Sequence, residues 1–160
     1  MKIKLSLLLL ASVFLAGACA QEKSDPGAES MAVVQDFMGA MGAGDFEKLQ
    51  SLMHEDMVWK NEGDANVPWI GTHEGKAAIL SDYMGPSGKH MKILSMSPSA
   101  MFAQGDQAAV FGRFEAQMVE SGKKASSSFA ILIGVDRQAK QIVSWQFFED
   151  SFAVSEAFKK

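Results

Sequence analysis

Several residue types and motifs that support common chemistries are scarce or missing in this chain of 160 residues. Cys19 is the only cysteine, so no disulfide can form within the chain. No set of histidines and carboxylates has the spacing of a recognisable metal site. A glycine-rich phosphate loop, a dinucleotide fingerprint and a serine nucleophile elbow are also missing. We therefore expect neither a metal nor a cofactor.

Basic clusters and long apolar runs are equally scarce. The formal net charge is -4, and the only basic pairs are Lys123-Lys124 and Lys159-Lys160. Because phosphate contacts require clustered Lys and Arg, this pattern argues against a nucleic-acid surface. No run beyond residue 20 is long and apolar enough to span a bilayer. The sequence therefore predicts one domain with its own core, and no nucleic-acid partner.

The first 20 residues have the pattern of a bacterial secretory signal. A short basic start precedes an apolar run over residues 5–15, and small residues follow it. Two cleavage positions compete: one before Gln21, and one before Cys19 in a lipoprotein box, which would make Cys19 the lipidated N-terminus. Residues 21–30 are polar, with Pro and Gly, and we interpret them as a flexible tether. We therefore expect an exported, periplasmic protein with its domain at residues 31–160. Because a tether directly after Cys19 suits a surface-anchored lipoprotein, we favour the form anchored to the membrane through a lipid on Cys19.

Periodicity and turn signals predict the order ααβαββββ. The first two helices are predicted from apolar steps at Met31, Val34, Met38 and Met41, and at Phe46, Leu49, Leu52 and Met53. A strand over 57–61 and a helix over 75–84, ended by Gly85-Pro86, follow. Four strands are then predicted, over 92–102, 107–119, 125–135 and 140–149, with a short helix over 151–158. This order is typical of an α+β fold in which a curved antiparallel sheet wraps three helices into a cone.

The same order and a set of short motifs resemble the nuclear transport factor 2-like superfamily, and within it the SnoaL-like polyketide cyclase branch. The matching residues cover about 30–158 and include Gly44-Asp45, the run from Glu55 to Trp59, Pro68, Gly71, Gly75 and the run from Trp145 to Asp150. The resemblance implies a cone with one deep pocket. The same cone serves enzymes, binders and scaffolds, so it does not settle a reaction.

The resemblance places the catalytic base of the ketosteroid isomerases of this superfamily near Asn61. An amide cannot take a proton at neutral pH, so the role would pass to Glu62 or Asp64. The expected oxyanion tyrosine of the first helix is missing, because the only tyrosine is Tyr83 on the third helix. The isomerase mechanism therefore does not carry over. His73, in the loop after Gly71, is the remaining candidate base, although a loop histidine is more often a cap or a surface residue.

Large flat side chains are the stronger candidates for a pocket wall. Trp59, Trp69 and Trp145 supply apolar surface together with an N–H that needs a partner, although core packing explains each one equally well. The predicted ligand-binding set is Trp59, Asn61, Trp69, His73, Tyr83 and Trp145.

Three functional hypotheses follow from these patterns. The first is an exported SnoaL-like domain that binds a small apolar or amphipathic molecule. The second is an isomerase, cyclase or hydratase that uses general acid–base catalysis in the same pocket. The third is a non-catalytic module whose open sheet face forms a homodimer. We favour the first, because the resemblance implies a pocket while the known catalytic positions are missing.

Overall fold

The computed structural model describes residues 25–159, which form a mixed α+β fold. Five α-helices, one π-helix and six strands occur in this part of the chain. In chain order they are α1 (Pro26–Ala43), α2 (Phe46–Ser51), β1 (Met53–Asn61), β2 (Gly71–Glu74), α3 (Lys76–Ala78), a π-helix (Ile79–Met84), α4 (Gly85–His90), β3 (Met91–Gln104), β4 (Gln107–Met118), β5 (Lys124–Asp136), β6 (Gln141–Phe148) and α5 (Ser151–Phe158). The predicted fold class is confirmed. The predicted signal sequence, the cleavage positions and Cys19 lie outside the described residues.

A single six-stranded sheet in the order β2-β1-β6-β5-β4-β3 forms the wall of the cone, and it is curved and unclosed. Neighbouring strands are antiparallel, except that β1 and β6 are parallel. Strict alternation along β4 buries Val110, Phe114 and Met118 while Phe111 and Arg113 point outward. The long strands therefore have one face toward the helices and one face toward solvent.

Helix α1 packs along the inner face of the sheet and begins earlier than predicted. Asp25 caps it by accepting a hydrogen bond from the Gly27 N–H at 2.9 Å, and Pro26 occupies the first turn. Ser30 is fully buried and donates to the Gly105 carbonyl oxygen at 2.7 Å. Residues 26–30 are therefore the first turns of a packed helix, and the predicted tether over 21–30 is wrong for this part.

The buried stripe of α1 is also shifted from the predicted one. Val33, Val34 and Phe37 are buried with the small residues Gly27, Ser30 and Ala40, whereas Met31, Met38 and Met41 lie at the edge of this face. The methionine spacing gave the correct period but marked the boundary of the apolar face rather than its centre.

Two boundaries in the next segment differ from the sequence prediction. Strand β1 begins at Met53, so this residue belongs to the sheet and not to the second helix. The predicted loop before the third helix contains β2, which pairs with β1 through Trp59–His73 and Asn61–Gly71. Apolar patterning did not reveal β2, because a strand of four residues is too short to show a period.

The third helical region continues past Gly85-Pro86 to His90. Pro86 does not stop it, because it falls in the first turn of α4, where its missing N–H is not needed. No helix among residues 25–159 is long and apolar enough to cross a membrane.

The helices pack on the inner face of the sheet and leave a cavity between them and the strands.

Candidate functional site

A cavity of about 310 Å³ lies inside the cone, between the inner sheet face and the helices. Its lining is dominated by aromatic, aliphatic and methionine side chains. The lining residues are Ala40, Met41, Gly44, Phe46, Leu49, Trp59, Asn61, Trp69, Tyr83, Met84, Ser87, Gly88, Met91, Ile93, Met96, Phe114, Trp145, Phe147 and Glu149. The volume and lining are typical of a small-molecule site.

Two stacked tryptophans form the rear wall. Trp59 and Trp145 are register partners on the parallel strands β1 and β6, so their rings stack at 5.0 Å with an interplanar angle of 16°. Phe37 packs against Trp145 at 5.2 Å, and Tyr83 packs against Trp59 at 4.6 Å. Because these rings support one another, this wall is rigid.

The π-helix shapes the side of the cavity next to this wall. It buries Ile79 fully and brings the consecutive residues Tyr83 and Met84 to the lining. A π-helical turn is wider than an α-helical turn and occurs often at functional sites. This local irregularity therefore places an aromatic hydroxyl and a thioether in the same space.

Asn61 and Glu149 form the polar end of the cavity. Asn61 pairs with Phe147 in the β1–β6 register, and Glu149 follows two residues later, so it faces the same side. Burial raises the pKa of the Glu149 carboxyl from 4.5 to about 7; a hydrogen bond from the Asn61 side chain lowers this pKa, and the charge of Asp150 raises it. Glu149 therefore exists in both protonation states near neutral pH.

Other polar groups near this end are also buried. Burial raises the pKa of the Tyr83 hydroxyl well above its usual range, and the charge of Glu149 adds to that effect. The Trp59 side chain lies close enough to this hydroxyl to lower the pKa slightly, yet its Nε1 meets no acceptor with hydrogen-bond geometry. Within residues 25–159, Trp145 Nε1 and Asn61 Oδ1 also have no hydrogen-bond partner. Buried polar atoms of this kind are uncommon and mark places where a ligand or water is expected.

Five of the six predicted ligand-binding residues line this cavity: Trp59, Asn61, Trp69, Tyr83 and Trp145. His73 does not, because its Nε2 lies 3.1 Å from the Trp69 carbonyl oxygen and its ring packs beside Tyr83 at 5.8 Å. In this position His73 packs against the backbone at Trp69 and against the Tyr83 ring. Ligand binding by the other five stays a prediction.

The two carboxylates proposed as a substitute base lie away from the cavity lining. Glu62 is exposed and pairs with Lys60 at 2.5 Å. Asp64 accepts a hydrogen bond from the Ser155 hydroxyl, which lowers its pKa, and a second from the Asn66 N–H, so it stabilises the loop and α5. Among the described residues no group of three His, Cys, Asp or Glu could hold a metal ion.

Glu149 is the residue that sequence reasoning missed. The alternation Trp145, Phe147, Glu149 placed it on one strand face, but the sequence did not say which face points into the cone. The structure directs this face inward. The alternation in the sequence thus groups Glu149 with Trp145 and Phe147 on one strand face, but it does not tell whether that face points into the cone.

The curved, unclosed sheet and its helices match the nuclear transport factor 2-like cone fold, and the cavity lies inside this cone. A model of the SnoaL-like domain matches residues 34–145, and the chain belongs to this family. No curated protein sequence matches the chain.

Solved structures with the same fold extend over almost the whole domain. An NTF2-like protein from Burkholderia xenovorans LB400 is 26% identical, with a TM-score of 0.74 over 83% of this chain and 98% of that chain. One from Burkholderia thailandensis E264 is 21% identical, with a TM-score of 0.72 over 82% and 98%. TerC, co-crystallised with polyporic acid, is 20% identical, with a TM-score of 0.70 over 82% and 99%.

Proposed function

We propose that this chain is an exported SnoaL-like protein that binds a small, largely apolar molecule in its cone cavity. The observation that carries the proposal is the cavity itself: about 310 Å³ of space with a mostly apolar lining and the polar side chains of Asn61 and Glu149 at one end. Such a site gains affinity from apolar burial and orients its ligand through a few polar contacts. A scaffold without a ligand would have filled this space with side chains.

Two kinds of lining side chain give this cavity complementary properties. The stacked Trp59 and Trp145 offer flat, fixed surfaces, whereas Met41, Met84, Met91 and Met96 are flexible. Methionine adapts to irregular shapes, so the cavity can close around ligands of different outline. TerC shares the fold and was co-crystallised with polyporic acid, which supports a ligand-binding role here.

Tryptophan fluorescence tests this proposal directly, because all three tryptophans of the chain line the cavity. Titration with the neutral probe 4-phenylbutan-1-ol should change the emission in a saturable manner. Gly88 also lines the cavity, and a Cβ at this position meets no atom within 4 Å, so Gly88→Leu should fill space and weaken binding. Gly39→Leu is the matched control, since Gly39 is exposed on α1 with no atom within 4 Å. A non-saturable response, or equal affinity in both variants, would contradict the proposal.

A second candidate function is proton transfer to or from the bound molecule by Glu149. The specific observation is a partly buried carboxyl whose pKa of about 7 lets it act as acid or base at neutral pH. The neighbouring Tyr83 hydroxyl could stabilise a developing negative charge. This candidate differs from the sequence hypothesis of His73 catalysis, because His73 does not line the cavity.

A generic proton-abstraction probe separates this second candidate from simple binding. Ring opening of 5-nitrobenzisoxazole requires only a base in an apolar environment. The protein should accelerate it with a rate that increases as pH rises through about 7, and Glu149→Gln should abolish the acceleration. An equal rate in Glu149→Gln would exclude Glu149 as the base.

Export and anchoring through Cys19 remain part of this proposal, supported by the signal-type sequence of residues 1–20. Mass spectrometry of the mature protein expressed in a bacterial host decides between the two forms. A lipidated N-terminal Cys19 supports the anchor. An unmodified chain that begins at Gln21 supports the soluble periplasmic form.

We also propose a homodimer through the outer sheet face. Neighbouring strands place Phe102, Phe111, Leu132 and Phe148 on this face, and these side chains are 43–64% exposed. An apolar patch of this kind is typical of an interface between proteins. In sedimentation experiments the original protein should have the mass of a dimer. The Phe111→Glu variant should have the mass of a monomer. Phe152→Glu, at a 72% exposed position on α5, should leave the mass unchanged.

A further inference from the structure

Two hydrogen-bond acceptors, Asn61 Oδ1 and the Glu149 carboxyl, meet at the polar end of the cavity, and among the described residues the indole N–H groups of Trp59 and Trp145 in the lining are unpaired donors. Asn61 Oδ1 is buried and receives no hydrogen bond from any residue in the range 25–159. The Glu149 carboxyl lies beside it, in contact with the Asn61 side chain. None of the described residues that line the cavity is a lysine, arginine or histidine. The site therefore lacks a positive group and has an acceptor that needs a donor.

Aromatic side chains line the cavity beside these acceptors. Trp59 and Trp145 stack with each other, Tyr83 covers Trp59, and Phe147 is the register partner of Asn61. Because these rings pack against one another, the group that suits an ammonium ion here is the partly buried Glu149 carboxyl beside the unpaired Asn61 oxygen.

Three classes of polar group can be compared at this position. An anionic group would meet the Glu149 carboxylate and no compensating cation, so it is disfavoured. A neutral hydroxyl can donate one hydrogen bond, to either Asn61 or Glu149. A protonated amine has enough N–H groups to donate to both acceptors, and its charge strengthens both hydrogen bonds.

Building on the proposed binding function, we propose that the molecule bound in this cavity carries a protonated amine at one end. Glu149 and Asn61 hold the ammonium group, while the apolar body fills the space between the tryptophan wall and the methionines. The ligand class is thus a small lipophilic amine.

The charged and titratable surroundings of Glu149 determine how binding depends on pH. Tyr83 faces it from the π-helix, and Asp150 lies next to it in the chain. The lining residues from α1, α2, α4, β1, β3 and β4 are uncharged. An ammonium group should therefore bind the ionised form of Glu149, so affinity increases as pH rises through the range where Glu149 loses its proton.

Isothermal titration calorimetry with three probes on one skeleton tests the inference: 4-phenylbutylamine, 4-phenylbutan-1-ol and 4-phenylbutyrate. At pH 8 the amine should bind about tenfold more tightly than the alcohol, the difference between a charge-assisted and a neutral hydrogen bond. The butyrate should bind most weakly. The affinity of the amine should fall about tenfold or more between pH 8 and pH 5.5, while that of the alcohol changes little.

Two variants complete the test. Glu149→Gln should lower the affinity of the amine to that of the alcohol and remove its pH dependence. Retained binding of the alcohol by this variant shows that the cavity is intact. Glu74→Gln, at an exposed position outside the lining, is the matched control and should behave as the original protein.

The outcomes separate this inference from the proposed function. Binding of the alcohol with equal or higher affinity than the amine overturns the inference and leaves the proposed function standing. Tightest binding of the butyrate, or an unchanged preference for the amine in Glu149→Gln, also overturns it. Binding of none of the three probes overturns both.

Discussion

Replacing Glu149 by glutamine should raise the free energy of unfolding at pH 8 and flatten its pH dependence between pH 5 and 8. In the folded protein the pKa of this carboxyl is about 7, compared with an ordinary value of 4.5. Between these two values the folded state holds a proton that the unfolded state has lost. The contribution of the Glu149 carboxyl to the free energy of unfolding is therefore fully present below about pH 4.5, and it is lost as pH rises through about 7.

The size of the effect follows from the difference between the two pKa values. This pKa difference corresponds to a loss of about 3 kcal/mol in the free energy of unfolding once Glu149 is fully ionised. Because Glu149 keeps some contact with solvent, screening reduces the expected loss to about 2 kcal/mol. Glutamine keeps the shape and can still accept a hydrogen bond from the Asn61 side chain, so the variant removes mainly the charge.

Urea unfolding followed by tryptophan fluorescence at pH 5, 6, 7 and 8 measures this effect. The original protein should lose about 2 kcal/mol across this range, while Glu149→Gln stays nearly constant with the same dependence on urea concentration. Glu74→Gln should follow the original protein. Parallel profiles for the original protein and Glu149→Gln would show that burial does not raise the pKa of this carboxyl, and would refute the reasoning.

Three further substitutions test the fold by their effect on urea unfolding. Gly112→Ala should destabilise by about 1–3 kcal/mol, because its Cβ would lie 2.6 Å from the Phe129 ring. Asp150→Ala should cost about 1 kcal/mol, since the Asp150 side chain caps α5 through the Ala153 N–H at 3.1 Å. Ser30→Ala should cost about 1–3 kcal/mol by removing the donor to the Gly105 carbonyl.

Matched changes keep these predictions falsifiable. Gly39→Ala meets no atom within 4 Å and should stabilise α1 by about 0.5–1 kcal/mol, opposite in sign to Gly112→Ala. Asp150→Asn should retain most of the cap. If Gly112→Ala were neutral, or Asp150→Asn as costly as Asp150→Ala, the packing and capping arguments would be wrong.

The sequence by itself determined the class of fold and most of its elements. Strand alternation from Gln107 to Val119 gave β4 to within a residue, and Asp150 followed by an apolar run gave α5. These signals are local: they depend on a period, a cap or a turn residue, all of which can be seen within a few positions. The tryptophans of the cavity wall were also identified, because tryptophan combines a large flat apolar surface with a polar N–H.

Only the tertiary structure decided which strand face points inward and which polar groups meet. A period of two gives two faces but no direction, so Glu149 could not be separated from Phe148 by sequence alone. The parallel pairing of β1 with β6 joins residues more than 80 positions apart, and it brings Asn61 beside the segment that carries Glu149. His73 was predicted at the pocket from its place in the chain; it pairs with Trp59 but lies against the Trp69 carbonyl and the Tyr83 ring, outside the lining. The chemistry of the cavity therefore depends on long-range strand pairing, which local sequence patterns do not encode.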